Sequence, residues 1–265
     1  MTSVFFLFLT HLAWGLLLML PFVPERAGRS YFKFCSAASS FMAAAALLLL
    51  WRRFAFAGGS GAPGGANYPV LFGLLSISLI TTLVYNRAHH FGWQRARGPL
   101  LGAALATATA AMFLAAHPAG RFAALSDLTS VWLLGAAASA MILGHWYLVV
   151  IDLPIVALRR LTLLLFVGLG LRALVVGGVL VGPLHSGLEE ARAVVLGLPS
   201  ADGVFVWMRL LFGIVGPASL SWFIWRTVEI RSTQSATGIL YVQLFLVLSG
   251  ELLAKYLRVV SGLPL

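Results

Sequence analysis

The chain reads as an all-α, polytopic membrane helix bundle of about eight transmembrane helices, forming a single transmembrane domain over residues 1–265. Three observations predict this. Hydrophobic residues make up 60% of the chain and charged ones only 10%; mean hydropathy is +0.96; and apolar runs such as Phe41 to Trp51 and Leu161 to Val181 are long. A soluble domain carries about 25% charged residues to cover its surface, so a globular enzyme, a disordered tail, a coiled coil and a nucleic-acid-binding domain are excluded. In lipid every backbone group needs an internal partner, which leaves helices or closed barrels. A barrel would show short alternating segments, and these runs do not alternate.

Taking about 20 residues per crossing, the spans fall at residues 3–23, 33–51, 68–86, 99–117, 128–151, 161–182, 204–225 and 237–259. The first lacks a basic leading region and a small-x-small cleavage site, so it is expected to be a retained helix and not a signal peptide. It stops at Pro24-Glu25-Arg26. The second ends at Trp51-Arg52-Arg53, before the Gly/Pro-rich stretch Gly58 to Gly65. Arg95 to Pro99 separates the third span from the fourth, Pro118 to Asp127 the fourth from the fifth, and Pro183 to Asp202 the sixth from the seventh. The seventh holds the one clear mid-helix break, Gly213-Ile214-Val215-Gly216-Pro217. It has no counterpart in the first half, and no internal repeat is visible. No soluble domain is expected, which places any catalytic head group on another chain.

Eight spans put both termini on one side. The loops of the opposite side carry ten cations: Arg26, Arg29, Lys33, Arg87, Arg95, Arg97, Arg159, Arg160, Arg226 and Arg231. The terminal side carries six: Arg52, Arg53, Arg121, Arg192, Lys255 and Arg258. The positive-inside rule then places both termini outside. Insertion and contact with anionic membrane lipid account for the basic balance without nucleic acid as a partner. The preference for Arg over Lys, 16 to 2, with abundant Ala, Gly and Leu, suggests the cytoplasmic (inner) membrane of a bacterium. The single Cys35 excludes a disulfide framework and a thiolate metal site.

A charge at the bilayer centre costs about 2.5–3.5 kcal/mol on insertion scales and marks function or a specific partner. At 1.5 Å per residue, His11, Arg172, Arg209 and Glu251 come out at about 12, 13, 8 and 12 Å from the outer surface. Four ionisable groups from four helices thus share the outer third. They read either as a polar pocket, in which Glu251 and His11 handle protons and an Arg fixes a ligand carbonyl, or as an ion pair that pins helices together with His11 as an interhelical hydrogen bonder. On the opposite side His145, in Leu143-Gly144-His145-Trp146-Tyr147, shares a depth with His89 and His90, and two imidazoles at one depth can hold a haem iron axially. Gly144 would let a macrocycle approach the backbone, whereas the cations beside His89 and His90 favour a solvated loop. His117 and His185 read as interfacial, and the tryptophans as interfacial anchors. Phosphate-binding Gly-rich loops, His-Glu-x-x-His, paired Cys motifs and Gly-x-Ser-x-Gly are absent from the sequence.

The last span, Leu248-Ser249-Gly250-Glu251-Leu252-Leu253-Ala254-Lys255-Tyr256-Leu257, resembles the final span of the eight-helix membrane anchors of dimethyl sulfoxide reductase and, more distantly, of polysulfide reductase. The likeness covers about ten residues, and span number, an outside N-terminus and chain size agree with it. It implies a haem-free anchor that exchanges electrons between a quinone near the outer face and an iron–sulfur subunit, with Glu251 and Lys255 as the positions that carry over. The expectation is therefore a quinone- or quinol-interacting membrane subunit of a respiratory complex. Menaquinone or ubiquinone would be its substrate, and an iron–sulfur or multihaem cytochrome subunit its partner. Two alternatives stay open: a membrane cytochrome b with haem b held through His145, and a small-anion transporter or channel using Arg172 and Arg209. A scaffold without chemistry of its own is the fourth reading.

Overall fold

A computed structural model describes residues 1–56, 68–116, 120–150, 153–186 and 203–262. The Gly58–Gly65 stretch, His117, Arg192 and most of the 183–202 segment lie outside the described residues. Among the described residues eight helices are long and apolar enough to cross a membrane: α1 Thr2–Met19, α2 Arg29–Phe56, α3 Tyr68–Phe91, α4 Gln94–Ala116, α5 Gly120–Val149, α6 Val156–Ser186, α7 Val204–Glu229 and α8 Thr233–Ser261. Large apolar side chains such as Phe41, Leu174 and Phe245 stay exposed on their outer faces, as lipid-facing positions require. The chain is a multi-pass membrane protein.

Every predicted span is present, but several ends move outward. Arg95 to Pro99, read as a loop, forms the start of α4 with Pro99 inside the helix. The missing N–H forfeits a single bond near the wet end of a helix, where the cost is smallest. The segment Pro118 to Asp127, also read as a loop, is helical from Gly120. Arg29 and Lys33 belong to α2, because long basic side chains can lie along a helix end with their charge at the surface. Two single 3-10 turns, Leu20–Phe22 and Glu25–Ala27, join α1 to α2, and Gly28 supplies the positive φ of +85° that reverses the chain.

The helices pack as two four-membered rings in chain order. In the first, α1 meets α2, α2 meets α3, α3 meets α4, and α4 returns to α1; α5 to α8 close the second in the same way. The rings join where α1 packs on α5, with smaller contacts from α1 to α8 and from α4 to α5. Accordingly α1 and α5 are the buried helices, 67% and 72% enclosed against 28–39% for the rest. Their crossing depends on Gly15 and Gly135: a Cβ on either would overlap the other's backbone. Close approach through small residues is how helices associate where lipid removes the hydrophobic drive. Hydroxyls add cross-links at depth, Ser39 donating to the Ala13 carbonyl at 2.8 Å and Ser78 to that of Ala104 at 3.0 Å.

The predicted break in the seventh span is a π-helical turn, Leu211–Val215, followed by an α-helical stretch with Pro217 in its first turn. The wider turn accommodates the missing proline N–H.

A buried ionic network beside an apolar cleft

Glu251 is the centre of the site. It lies on α8, fully buried, and its two carboxylate oxygens accept four hydrogen bonds. Arg172 of α6 binds side-on through Nε at 2.8 Å and Nη2 at 3.2 Å. Arg209 of α7 donates through Nη2 at 2.9 Å, and Ser130 of α5 through Oγ at 2.5 Å. Lys255, one turn further along α8, brings its ammonium to 3.9 Å. Arg172 is locked further by α5, its Nη1 donating to the Ser126 carbonyl at 3.0 Å, the Ser126 hydroxyl at 2.7 Å and the Thr129 hydroxyl at 3.3 Å. A bare carboxylate in the membrane interior would be prohibitive; two guanidinium groups and a hydroxyl replace its water.

His11 of α1 joins through Ser130, whose Oγ is 3.3 Å from Nδ1. Since Ser130 donates to Glu251, the network assigns the Nδ1 proton to His11, which donates to Ser130. Nε2 of His11 faces Asp127 of α5 at 3.7 Å. Asp127 is as deeply buried as His11. Its Oδ1 also receives Lys255 at 3.7 Å and a close charged hydrogen bond from Arg258. The network therefore spans α1, α5, α6, α7 and α8 and, among the described residues, brings Arg172, Arg209, Lys255 and Arg258 to Glu251 and Asp127.

The four residues expected in the outer third, His11, Arg172, Arg209 and Glu251, thus meet in one connected site. Sequence reasoning missed Asp127, Ser126 and Ser130. It placed Lys255 and Arg258 among the outer-side cations and gave Lys255 a place in the site only through the resemblance. A signal existed: Ser126, Thr129 and Ser130 are three and four apart, one polar stripe on a helix. The glycines of α7 and α8 make room for the charges. The Arg209 guanidinium occupies the space a Cβ on Gly213 would fill, and Gly250 packs backbone to backbone on Gly213. Nε and Nη1 of Arg209 are buried without a hydrogen-bond partner.

Next to the network an apolar cleft of about 310 Å³ opens between α1, α4, α5 and α6, lined by Trp14, Leu105, Met112, Thr129, Trp132 and Leu171 among others. Thr129 is the residue that Arg172 holds. Trp14 lies against His11 with ring centroids 6.4 Å apart. Trp14 and Met112 also border a void of about 10 Å³ that touches His11 and Asp127, room for about one water. Trp14 and Trp132 therefore line a cleft, where the sequence suggested interfacial anchors. Trp132 and Trp146 fix their rings by donating to the carbonyls of Leu164 at 2.8 Å and Ala27 at 3.0 Å, whereas Trp51, Trp93, Trp207 and Trp222 stay exposed as anchors do.

The histidines of the other side are not brought together. His145 is exposed on α5, with Nδ1 3.2 Å from the hydroxyl of Tyr241 on α8. Gly144 is filled against, Thr237 donating to its carbonyl at 2.8 Å and Leu240 taking the space beside it. No face is left there for a macrocycle. His89 packs inside the first ring against Phe32 and Tyr85, and His90 is exposed. His145 and His89 thus face different helices and do not fit a shared haem. Among the described residues no group of three or more His, Cys, Asp or Glu side chains is placed to hold a metal ion. Comparison of the chain with protein-family models, with curated proteins and with solved structures gives no match.

Proposed function

We propose that the chain is a quinone- or quinol-binding membrane subunit of an electron-transfer complex in a bacterial cytoplasmic membrane, with both termini outside. The observation that carries this reading is the junction of two unlike surfaces: an apolar, tryptophan-lined cleft that meets the buried network at Thr129 and shares Trp14 and Met112 with the small void at His11 and Asp127. A quinone has the same two parts, an apolar ring with an isoprenoid tail and carbonyl oxygens that need donors and protons.

The roles of the carboxylates follow from their partners. Glu251 is surrounded by donors, so it holds the guanidinium groups in place and does not serve as the base. His11 has the better geometry for proton transfer, with Nδ1 committed to Ser130 and Nε2 toward the void shared with Asp127. On quinol oxidation two electrons leave for the redox centre of a partner subunit, an iron–sulfur or multihaem protein. Two protons leave the hydroxyls in turn, each taken by His11, passed toward Asp127 and released to the outer aqueous side before the next arrives. The resemblance of the last span to the anchors of dimethyl sulfoxide reductase and polysulfide reductase agrees with Glu251 and Lys255 belonging to this site.

The test is quinol turnover in membranes carrying the assembled complex. His11→Gln keeps size and hydrogen bonding but not proton exchange, and is expected to lower quinol oxidation at least tenfold with the subunit still present at its normal level. Unchanged turnover contradicts the proposal. One observation favours a second reading: the two partnerless buried nitrogens of Arg209 would suit a small anion. That reading predicts anion uptake into vesicles by the purified chain alone.

A further inference from the structure

A second, larger opening of about 710 Å³ lies in the first ring, at the end where α1 turns into α2 and α3 into α4. Two of its polar side chains carry buried nitrogens without a hydrogen-bond partner. His89 is only 4% exposed, and neither ring nitrogen has a hydrogen-bond partner. The ring is fixed by Phe32, parallel at 5.2 Å, and by the edge of Tyr85 at 4.8 Å. Nε and Nη2 of Arg97 are buried and equally without partner. Arg29 lines the same cleft, and the charges of Arg29, Lys33 and Arg97 all reach the His89 ring. Glu25 is the one carboxylate among the lining residues. Guanidinium groups can only donate, and leaving buried donors unmatched costs about 1–3 kcal/mol each. The cleft is built for an anionic oxygen cluster.

Its depth and floor specify the rest of the ligand. His89 and Arg97 are two and three residues from their helix ends, about 3–5 Å into the bundle at 1.5 Å per residue, which is headgroup level. Behind them Gly98 and Gly102, one turn apart on α4, have nothing within 4 Å of where a Cβ would stand. Leu101 and Leu105 flank this groove, and Leu105 also lines the apolar cleft beside Trp14. A cationic end thus adjoins an apolar groove of Gly98, Leu101, Gly102 and Leu105 on α4.

We propose that this cleft is a binding site for an anionic phospholipid. Its phosphate is held by Arg97, His89 and Arg29, and an acyl chain lies along Gly98, Gly102 and Leu105. Basic pockets between helices at a membrane surface hold phosphate headgroups in this way. The headgroup site does not rest on the quinone reading: His89, Arg97 and Arg29 lie on different helices from the Glu251 network, and Leu105 is shared with the lining of the apolar cleft.

The test is native mass spectrometry of the purified, delipidated chain titrated with phosphatidylglycerol, with diacylglycerol of the same chains, and with glycerol 3-phosphate. Phosphatidylglycerol is expected to bind at least tenfold more tightly than either of the other two. Arg97→Gln should remove most of that preference. Gly102→Leu, at an exposed position, should weaken phosphatidylglycerol about fivefold by filling the groove without touching the cations. Equal binding of phosphatidylglycerol by the wild type and both variants overturns the proposal, as does diacylglycerol binding equally well. Glycerol 3-phosphate binding as tightly as the lipid would overturn the lipid assignment in favour of a soluble phosphate.

Discussion

Glu251 shows why a buried charge is tolerable here and why it cannot be changed alone. Its carboxylate offsets Arg172 and Arg209 at once, so Glu251→Gln keeps the shape but leaves two buried guanidinium groups against a neutral amide. Breaking a buried pair from one side costs about 3–5 kcal/mol, and thermal unfolding in detergent should show a loss of that order. Glu229→Gln removes only an exposed pair with Arg226 at 3.0 Å, and should change stability by less than about 1 kcal/mol. At this scale the sequence was informative for residues deep in apolar runs. His11, Arg172, Arg209 and Glu251 stand out because charge there is rare, and simple rise-per-residue arithmetic gave them a common depth. Asp127 and Arg258 were not legible for the opposite reason: near span ends a charge looks like loop chemistry. Only the fold shows that they face each other inside the bundle.

The crossing of α1 and α5 decides whether the network forms, because α1 brings His11 and α5 brings Ser126, Asp127 and Ser130. Gly135→Val would drive a branched side chain into the Gly15 backbone. Overpacking costs about 1–3 kcal/mol, and the strain falls on the joint between the rings. The expected outcome is a lower melting temperature together with faster proteolysis of the folded chain. Gly177→Ala, where nothing lies within 4 Å of the added methyl, should leave both unchanged. All eight helices were foreseeable from apolar length, and the α7 irregularity from Pro217. Helix ends were not, since a membrane helix continues past its apolar run wherever basic side chains reach the surface or polar ones find buried partners. The α5 start shows both limits: its first two turns hold Ser126 and Asp127, which look exposed in sequence and are buried in the fold.

Across the whole molecule, charge distribution gives an orientation that labelling can check. Cys35 is buried, so introduced thiols can be read against a silent background. Ser261→Cys, beside the last helix end, should react with a membrane-impermeant maleimide on intact cells, and Arg95→Cys only after permeabilisation. The reverse pattern would invert the topology and move the Glu251 network to the cytoplasmic half. The division into two rings was not legible, because neither the sequence pattern nor the loop lengths say which helix neighbours which. That arrangement nonetheless creates both openings, one at the joint between the rings and one inside the first.

Photolabelling with an azido-quinone carrying a short isoprenoid tail asks whether the cleft beside His11 receives a quinone. Peptides from α1 and α5 that contain Trp14 or Thr129, and from α4 that contain Met112, should be labelled, with labelling suppressed by excess unmodified quinone. Labelling spread over the lipid-facing surface and insensitive to competitor, or confined to other helices, would rule out a quinone in this cleft.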